Sequence, residues 1–460
     1  MREDQTIILQ RSQIKKGNPL LSLDRPCGLG DGIIRFTEAE KKAFEVYFEQ
    51  TERSCCYFVP ASGSGSRMFD FLYDYLEIQS EQNRERLELF LANVRDFAFF
   101  QKLPEELQRA VLDSSIDKVQ LIRYLLSDTG MNFGNIPKGL IPFHHMPPFV
   151  LNPFQEHVLQ GLKITSEMRF HFTIQPNFRR QIIESIKQVA QIVTKTVDLN
   201  FSVQDPKTDA YVFDELLVLE KDNRGETIRL PAGHGALLGN LQTIQEDLIF
   251  VKNIDNVQPY RNSEKSTRYF KALAGLLLQV KQELKDALDT QNLTRIKSLS
   301  KKYFLFTEGE FSAHEGDLNK LIHRPIRVCG MVKNQGQPGG GPYYVDIGGI
   351  LKKQIVERVQ IASDHHNSKL MLSSTHFNPV FMVLDMHGSD GQKFDLSEFR
   401  NEEHYFVVEK SQKGKTVSLV EYPGLWNGSM ENWITLLVEI PNEIFSPVKT
   451  VLDLLDRAHR

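Results

Sequence analysis

Residues 58–69 read FVPASGSGSRMF: an apolar run, then Ser62, Gly63, Ser64, Gly65 and Ser66 in alternation, then Arg67. Glycines at 63 and 65 let backbone N–H groups approach an anion without side-chain obstruction. A helix opening behind such a loop adds the favourable end of its dipole. Arg67 brings paired donors suited to a phosphate. An ordinary tight turn has the same composition. The spacing is neither that of the P-loop, which needs Gly-Lys-Ser/Thr, nor the dinucleotide G-x-G-x-x-G. A serine nucleophile is disfavoured, since G-x-S-x-G order is missing.

Four later stretches carry groups of related chemistry. IPKGLIPFH sets Lys138 between a proline and a glycine, and RLPAGHGALLGNL is a second glycine loop, with Gly233, His234 and Gly235. LIFVKNIDNV ends an apolar run with Asp255 and Asn256, and EIFSPVKTVLDLL carries Lys449. The carboxyl end of a strand is where ligand crevices open in α/β sheets; the plainer reading of Asp255 is a strand-end aspartate capping a turn. His234 between glycines suits a ligand contact better than a zinc site. The pairs His144-His145 and His365-His366 invite a metal, but neighbours in a strand point to opposite faces, so neither pair chelates alone. Trp426, in EYPGLWNG, reads as a packed aromatic at a turn.

These residues need elements to hold them. TEAEKKAFEVYFEQ, residues 37–50, reads as a helix with Thr37 as cap and Glu40 three residues on. CCYFVPA reads as a short buried strand. From Phe69 to about Leu126 the apolar spacing of three and four predicts helices throughout. Helix and strand then alternate up to the long helical stretch STRYFKALAGLLLQVKQELKDAL, which predicts an α/β domain with a largely parallel sheet. The last third turns to short extended segments such as IRVCGMVK, PYYVDIGG, QIVERVQI and ITLLVEIP, closed by a helix at VKTVLDLLDRA. GQPGGGPYYV, residues 336–345, reads as a hairpin loop, with an anion-binding turn as the other reading.

Taken in order, Gly63-Ser64-Gly65-Ser66-Arg67-Met68, Pro137-Lys138-Gly139-Leu140, Pro231-Ala232-Gly233-His234-Gly235-Ala236-Leu237, Ile254-Asp255-Asn256 and Phe445-Ser446-Pro447-Val448-Lys449-Thr450 resemble the motifs of the UDP-sugar pyrophosphorylases, within the sugar nucleotidyltransferases. The likeness spans roughly residues 55–455 as islands. The VPASG-S-R-M-F opening is similar to that of an uncharacterised bacterial domain-of-unknown-function family. The resemblance implies that Ser62–Arg67 cradles a nucleotide triphosphate with Arg67 on its phosphates, and that Lys138 stabilises the leaving pyrophosphate or the α-phosphate. It implies that Gly233, His234 and Gly235 meet the nucleoside and that Asp255 holds magnesium. QIVERVQI would point Glu357, and THFNPV would point Asn378, at the sugar; FVVEKS would aim Lys410 at the sugar phosphate. Each of Glu357 and Asn378 reads equally as a loop polar residue. Ser62 stands where the family has a first glycine, Ser66 replaces a commoner threonine, and a helical insert lengthens the gap from Arg67 to Lys138.

The expected fold is therefore α/β: a Rossmann-like nucleotidyltransferase core with a mixed, mostly parallel sheet, a helical insertion and a β-rich C-terminal part. The expected division is a helical or irregular segment over 1–50, a core over 51–325 with the insert at 70–130, and a sugar-side mixed β region with a closing helix over 326–460. The function implied is a magnesium-dependent nucleotidyltransferase making a nucleotide sugar and pyrophosphate from an NTP, UTP favoured, and a sugar 1-phosphate. The alternatives are a catalytically silent nucleotide-sugar-binding protein and a sugar transferase on the same scaffold. Net charge is −4, so no general attraction for nucleic acid or anionic membrane is expected. No apolar stretch approaches a membrane span of roughly 18 residues, and MREDQTIILQ lacks a signal-peptide pattern. With Cys27, Cys55, Cys56 and Cys329 outside any C-x-x-C spacing, a reduced, cytoplasmic protein without structural zinc is expected.

Overall fold

The computed structural model describes residues 2–77, 83–193, 196–336, 339–412 and 415–460. The chain forms two compact units, each built from separated segments. The first gathers residues 1–54, 204–250 and 271–440, and the second 55–203, 251–270 and 441–460. Sequence boundaries fall where the chain changes character, whereas these units follow which segments pack together, so the two divisions do not coincide.

In the second unit, strands Cys55–Pro60, Arg169–Thr173 and Asp198–Ser202 pair in parallel, Cys56 facing Arg169 and Phe170 facing Leu199. Helices Pro153–Ile164 and Arg179–Val193 stand between them in the chain. Such crossovers are what parallel pairing requires. The first strand is buried along nearly its whole length, as befits a sheet covered on both faces.

The insert is helical, as its periodicity predicts: Asp70–Glu77, Arg84–Ala92, Glu105–Leu112 and Lys118–Leu126 are α-helices, and Ala98–Lys102 is a tighter 3₁₀ stretch. Residues 78–82 lie outside the described residues. Phe69, Phe71, Phe90, Phe97, Phe99 and Phe133 form one buried core that also takes in Val257, Val448, Val451 and Leu454. The insert is thus packing for the chain just after Asp255 and on either side of Lys449.

In the first unit, Gly32–Ile34, Ile434–Glu439 and Ile326–Lys333 pair in parallel, and Phe381–Asp385 joins the last of these antiparallel. The main sheet is mixed and mostly parallel. Ser22–Pro26, Gly341–Ile347 and Ile350–Val356 make an antiparallel sheet, and Phe406–Gln412 with Lys415–Glu421 a two-stranded ribbon. Helix Glu38–Glu49 carries the capping box of Thr37 and Glu40 that the spacing predicts.

Arg2–Lys16, in the segment expected to be helical or irregular, is a helix, although its residues show no apolar stripe. Two local expectations differ from the structure or fall partly outside it. The closing helix is instead two short 3₁₀ turns, Val451–Leu455 and Arg457–His459, the first opened by a capping box in which Asp453 accepts the amide of Thr450. The expected hairpin loop at 336–345 includes residues 337–338, outside the described residues, while Gly341–Ile347 is a strand. All four cysteines are buried free thiols. Among the described residues no helix is long and apolar enough to cross a membrane.

Candidate functional site

The glycine loop leaves strand Cys55–Pro60 and opens a 3₁₀ turn, Ser66–Phe69, continuous with helix Asp70–Glu77. It is stitched to the segment before Lys138. The Lys138 amide donates to the Gly63 carbonyl at 3.1 Å, and the Gly65 amide donates to Ile136 at 3.0 Å. Gln175 holds the Ser62 carbonyl at 2.7 Å. Ser64 Oγ accepts from the Ser66 amide at 3.2 Å and donates to Ser66 Oγ at 3.1 Å, so the loop's hydroxyls are turned partly on one another.

The two glycines have different reasons. A Cβ on Gly65 would stand 2.5 Å from Ile141 Cδ1 and 3.1 Å from the Ile136 carbonyl. A Cβ on Gly63 would meet nothing within 4 Å. Gly65 is there for the protein's own packing, and only Gly63 faces open space. Arg67 is exposed. Among the described residues it has no hydrogen-bond or ion-pair partner.

Lys138, Asp255 and Lys449 form one cluster in the second unit. Strand Leu248–Lys252, buried throughout, ends three residues before Asp255. The Val448 amide then donates to the Asp255 carbonyl at 2.9 Å, and Asn256 Oδ1 accepts the Ser446 amide at 3.1 Å. This backbone pairing lays Lys449 beside Asp255. Lys138 Nζ and Lys449 Nζ both donate to Asp255 Oδ2, at 3.1 and 2.9 Å. Lys138 also reaches the Val448 carbonyl at 2.8 Å.

Lys138 and Asp255 side chains are 13% and 12% exposed, Lys449 58%, so one ammonium is sunk and the other meets solvent. Burial pushes the Lys138 ammonium below its ordinary value, with Asp255 opposing. Burial pushes the Asp255 carboxyl up, and Lys449 and Lys138 together more than reverse this, leaving it below its ordinary value. Two cations share one carboxylate, with the Asp453 carboxylate acting on Lys138 nearby, and Lys449 keeps its ammonium open to an anion from solvent. Lys449 escaped the sequence assignment of site residues, although FSPVKT was a signal for it.

Asp255 was expected to hold magnesium. Magnesium demands near-ideal octahedral oxygen ligation. Asp255 has one oxygen committed to two ammonium groups, and among the described residues no group of three His, Cys, Asp or Glu stands together. These residues do not fit an ion held by the protein alone.

A second constellation lies in the first unit. His234 Nδ1 accepts the Leu425 amide at 2.9 Å, so the other nitrogen carries the proton in the neutral ring. That nitrogen is 3.4 Å from Glu357 Oε1. The Trp426 ring lies nearly parallel to His234, planes 18° apart and centroids 6.4 Å. Gly233 has φ of +62°, and a Cβ there would overlap Glu421 Oε2 at 2.1 Å. A Cβ on Gly235 would press the Pro423 carbonyl at 2.3 Å. Glu421 in turn accepts from Lys410 at 3.2 Å. His234, Glu357, Lys410 and both glycines are thereby gathered. Glu421 was not foreseen, and Trp426 sits beside the histidine as well as being packed.

Asn378 is used differently. Its Oδ1 accepts the Val380 amide at 3.1 Å and its amide donates to Gly340 at 2.8 Å, a turn built around Val380 at φ +56°. Among the described residues no hydrogen bond or ion pair joins it to His234 or Glu357.

Residues 2–460 match the family described as a domain of unknown function, DUF4301. The chain belongs to that family. No curated protein matches it. The DUF4301 chain is similar to the crystal structure of uridine diphosphate N-acetylglucosamine pyrophosphorylase from Trypanosoma brucei with an inhibitor. Identity is 11%, 99% of this chain and 75% of that chain are covered, and the TM-score is 0.51. A UDP-glucose phosphorylase structure from Trypanosoma brucei gives 12% identity, 98% and 74% coverage, and a TM-score of 0.49. At 11% identity the likeness shows a nucleotidyltransferase fold and nothing finer.

Proposed function

We propose that this DUF4301 chain is a nucleotidyltransferase that makes a nucleotide sugar and pyrophosphate from an NTP, UTP favoured, and a sugar 1-phosphate. The observation that carries it is the unpartnered, exposed Arg67 in a glycine loop whose backbone is bonded to Lys138. Lys138 in turn shares Asp255 with Lys449. Three cations and a loop of free space serve a phosphate chain better than a neutral ligand.

A sugar-phosphate oxygen attacks the α-phosphorus in line, the bond to the β-phosphate oxygen breaks, and pyrophosphate departs with the electron pair. The attacking phosphate is already ionised, so no general base is required. The protein has to orient two anions and stabilise charge as pyrophosphate leaves. Arg67 binds the phosphates, while Lys138 and Lys449 face the charge that develops on them. Lys410 is assigned to the sugar phosphate, Gly233, His234 and Gly235 to the nucleoside, and Glu357 and Asn378 to the sugar. These roles follow the resemblance; the geometry supports His234 and Glu357 as a pair and leaves Asn378 the weaker member. No step runs through magnesium, whose requirement is a variable of the assay.

Pyrophosphate release across a panel of NTPs and sugar 1-phosphates, with and without magnesium, tests the proposal. Release dependent on one sugar phosphate establishes it. Silence across the panel, with UTP or a UDP-sugar still raising the melting temperature, assigns binding without catalysis. Silence in both overturns it.

A further inference from the structure

His144, excluded above as half of a histidine pair, is buried in the second unit with Glu156 and His459. His144 begins the ribbon strand His144–Met146, Glu156 lies in the first turn of helix Pro153–Ile164, and His459 closes the 3₁₀ turn Arg457–His459. Glu156 Oε1 is 2.8 Å from His144 Nδ1, and His144 Nε2 is 2.9 Å from His459 Nδ1. The imidazole planes differ by 19° with centroids 5.3 Å apart, so the facing nitrogens meet nearly in plane, as an N–H···N bond requires.

We propose that Glu156, His144 and His459 form a proton-ordered latch that fastens residues 441–460 and thereby positions Lys449 on Asp255.

The order follows from counting protons. One arrangement has ionised Glu156 accepting from His144 Nδ1–H, with His459 Nδ1–H donating to His144 Nε2. The other adds one proton: neutral Glu156 donates to His144 Nδ1, and His144 Nε2–H donates to His459 Nδ1. Both keep the two bonds. A further proton taken by His459 Nδ1, with His144 keeping its Nε2–H, puts N–H on both facing nitrogens and breaks the His144–His459 bond. Glu156 Oε2 is buried without a hydrogen bond of ordinary geometry. This is tolerable for a neutral acid and costly for a carboxylate, which favours the arrangement with neutral Glu156.

The surroundings agree. Burial pushes the Glu156 carboxyl up to about 8, opposed by the Tyr260 amide, Gln160, Lys163 and Arg261. Burial pushes both imidazoles down to about 3, with Arg261 acting on His144 and Asp453 opposing at His459. The latch therefore stays closed through the neutral range.

From the latch to Lys449 the chain is short and tied. The His459 amide donates to Asp456 at 2.9 Å, Asp453 accepts the Lys449 amide at 2.7 Å, and Val451 and Leu454 are buried. An effect on turnover follows only if nucleotidyl transfer holds as proposed above; the latch itself does not depend on it.

Amide exchange of the full chain at pH 7 is the test. His459→Ala and Glu156→Ala should speed exchange from Val448 to Leu455 by about tenfold or more, the loss of a buried hydrogen bond, while strand Cys55–Pro60 is unchanged. His459→Gln, whose carbonyl still accepts from His144, should restore most of the protection. Glu156→Gln should stay within about twofold of wild type, because an amide N–H donates to His144 as the neutral acid does. Unchanged protection in His459→Ala overturns the latch. Glu156→Gln as open as Glu156→Ala overturns the proton order. In the active enzyme, His459→Ala should lower kcat for pyrophosphate release and leave KM for the sugar phosphate unchanged, with His459→Gln restoring kcat. A silent assay leaves the exchange result standing, so the two proposals fail separately.

Discussion

The amide of Lys138 donates to the carbonyl of Gly63 at 3.1 Å, although the whole helical insert lies between them in the chain. This one bond sets the glycine loop against the segment that carries the buried lysine. The insert leaves and returns within a few ångströms, and its aromatic core supports both ends.

The two loop glycines should separate by stability. Gly65→Ala places a methyl against Ile141 and the Ile136 carbonyl, and overpacking of this kind costs about 1–3 kcal/mol. Gly63→Ala enters open space and should stay within about 0.5 kcal/mol of wild type. Urea unfolding of both variants decides; equal losses would refute the division of roles.

Arg67→Ala removes a side chain with no partner among the described residues. Unfolding free energy should change by less than about 0.5 kcal/mol; if the proposed nucleotidyl transfer holds, pyrophosphate release should fall by about a hundredfold or more. Arg67→Lys should recover little, since a lysine lacks the planar paired donors. Full turnover in Arg67→Ala removes this residue from the site.

Asp255→Asn leaves two ammonium groups facing each other, one of them sunk. Breaking a buried pair in this way costs about 3 kcal/mol at neutral pH. The pH dependence has a definite sign. The folded carboxyl lies below its ordinary value, so its contribution is present above the unfolded value of about 4 and is lost as pH falls through the folded one. The stability gap between wild type and Asp255→Asn should therefore narrow from pH 7 to pH 3. A gap constant with pH would mean that Asp255 is not the ionised partner.

His234→Phe keeps the ring against Trp426 but removes the acceptor of the Leu425 amide and the nitrogen facing Glu357. A loss of about 1 kcal/mol in stability is expected. Nucleotide affinity, read by calorimetry, should fall if this ring contacts the nucleoside. Unchanged affinity would confine His234 to holding its own loop.

Much of the architecture was legible locally. Apolar spacing marks the helices of the insert, and Thr37 with Glu40 marks a helix start, because capping and periodicity act over a few residues. The glycine loops were legible as loops, yet their purpose was not. Gly233, Gly235 and Gly65 are required by Glu421, Pro423 and Ile141, contacts that no spacing announces. For Arg2–Lys16 the sequence left helical and irregular readings open, for want of an apolar stripe. The closing helix was overestimated because its apolar spacing does not reveal that the backbone turns extended at Asp456, which divides it into two 3₁₀ turns.

What the sequence by itself determined is the set of local elements and the chemistry available to them: strand, glycine loop, cation, strand-end carboxylate. Tertiary structure alone decided that Lys138 and Lys449 meet on one oxygen of Asp255, that His144 faces His459, and that His234 comes beside both Glu357 and Trp426. The physical reason is distance along the chain. Hydrogen bonds within a turn are written in neighbouring residues. Pairings between remote segments exist only after sheet and core have brought their backbones together.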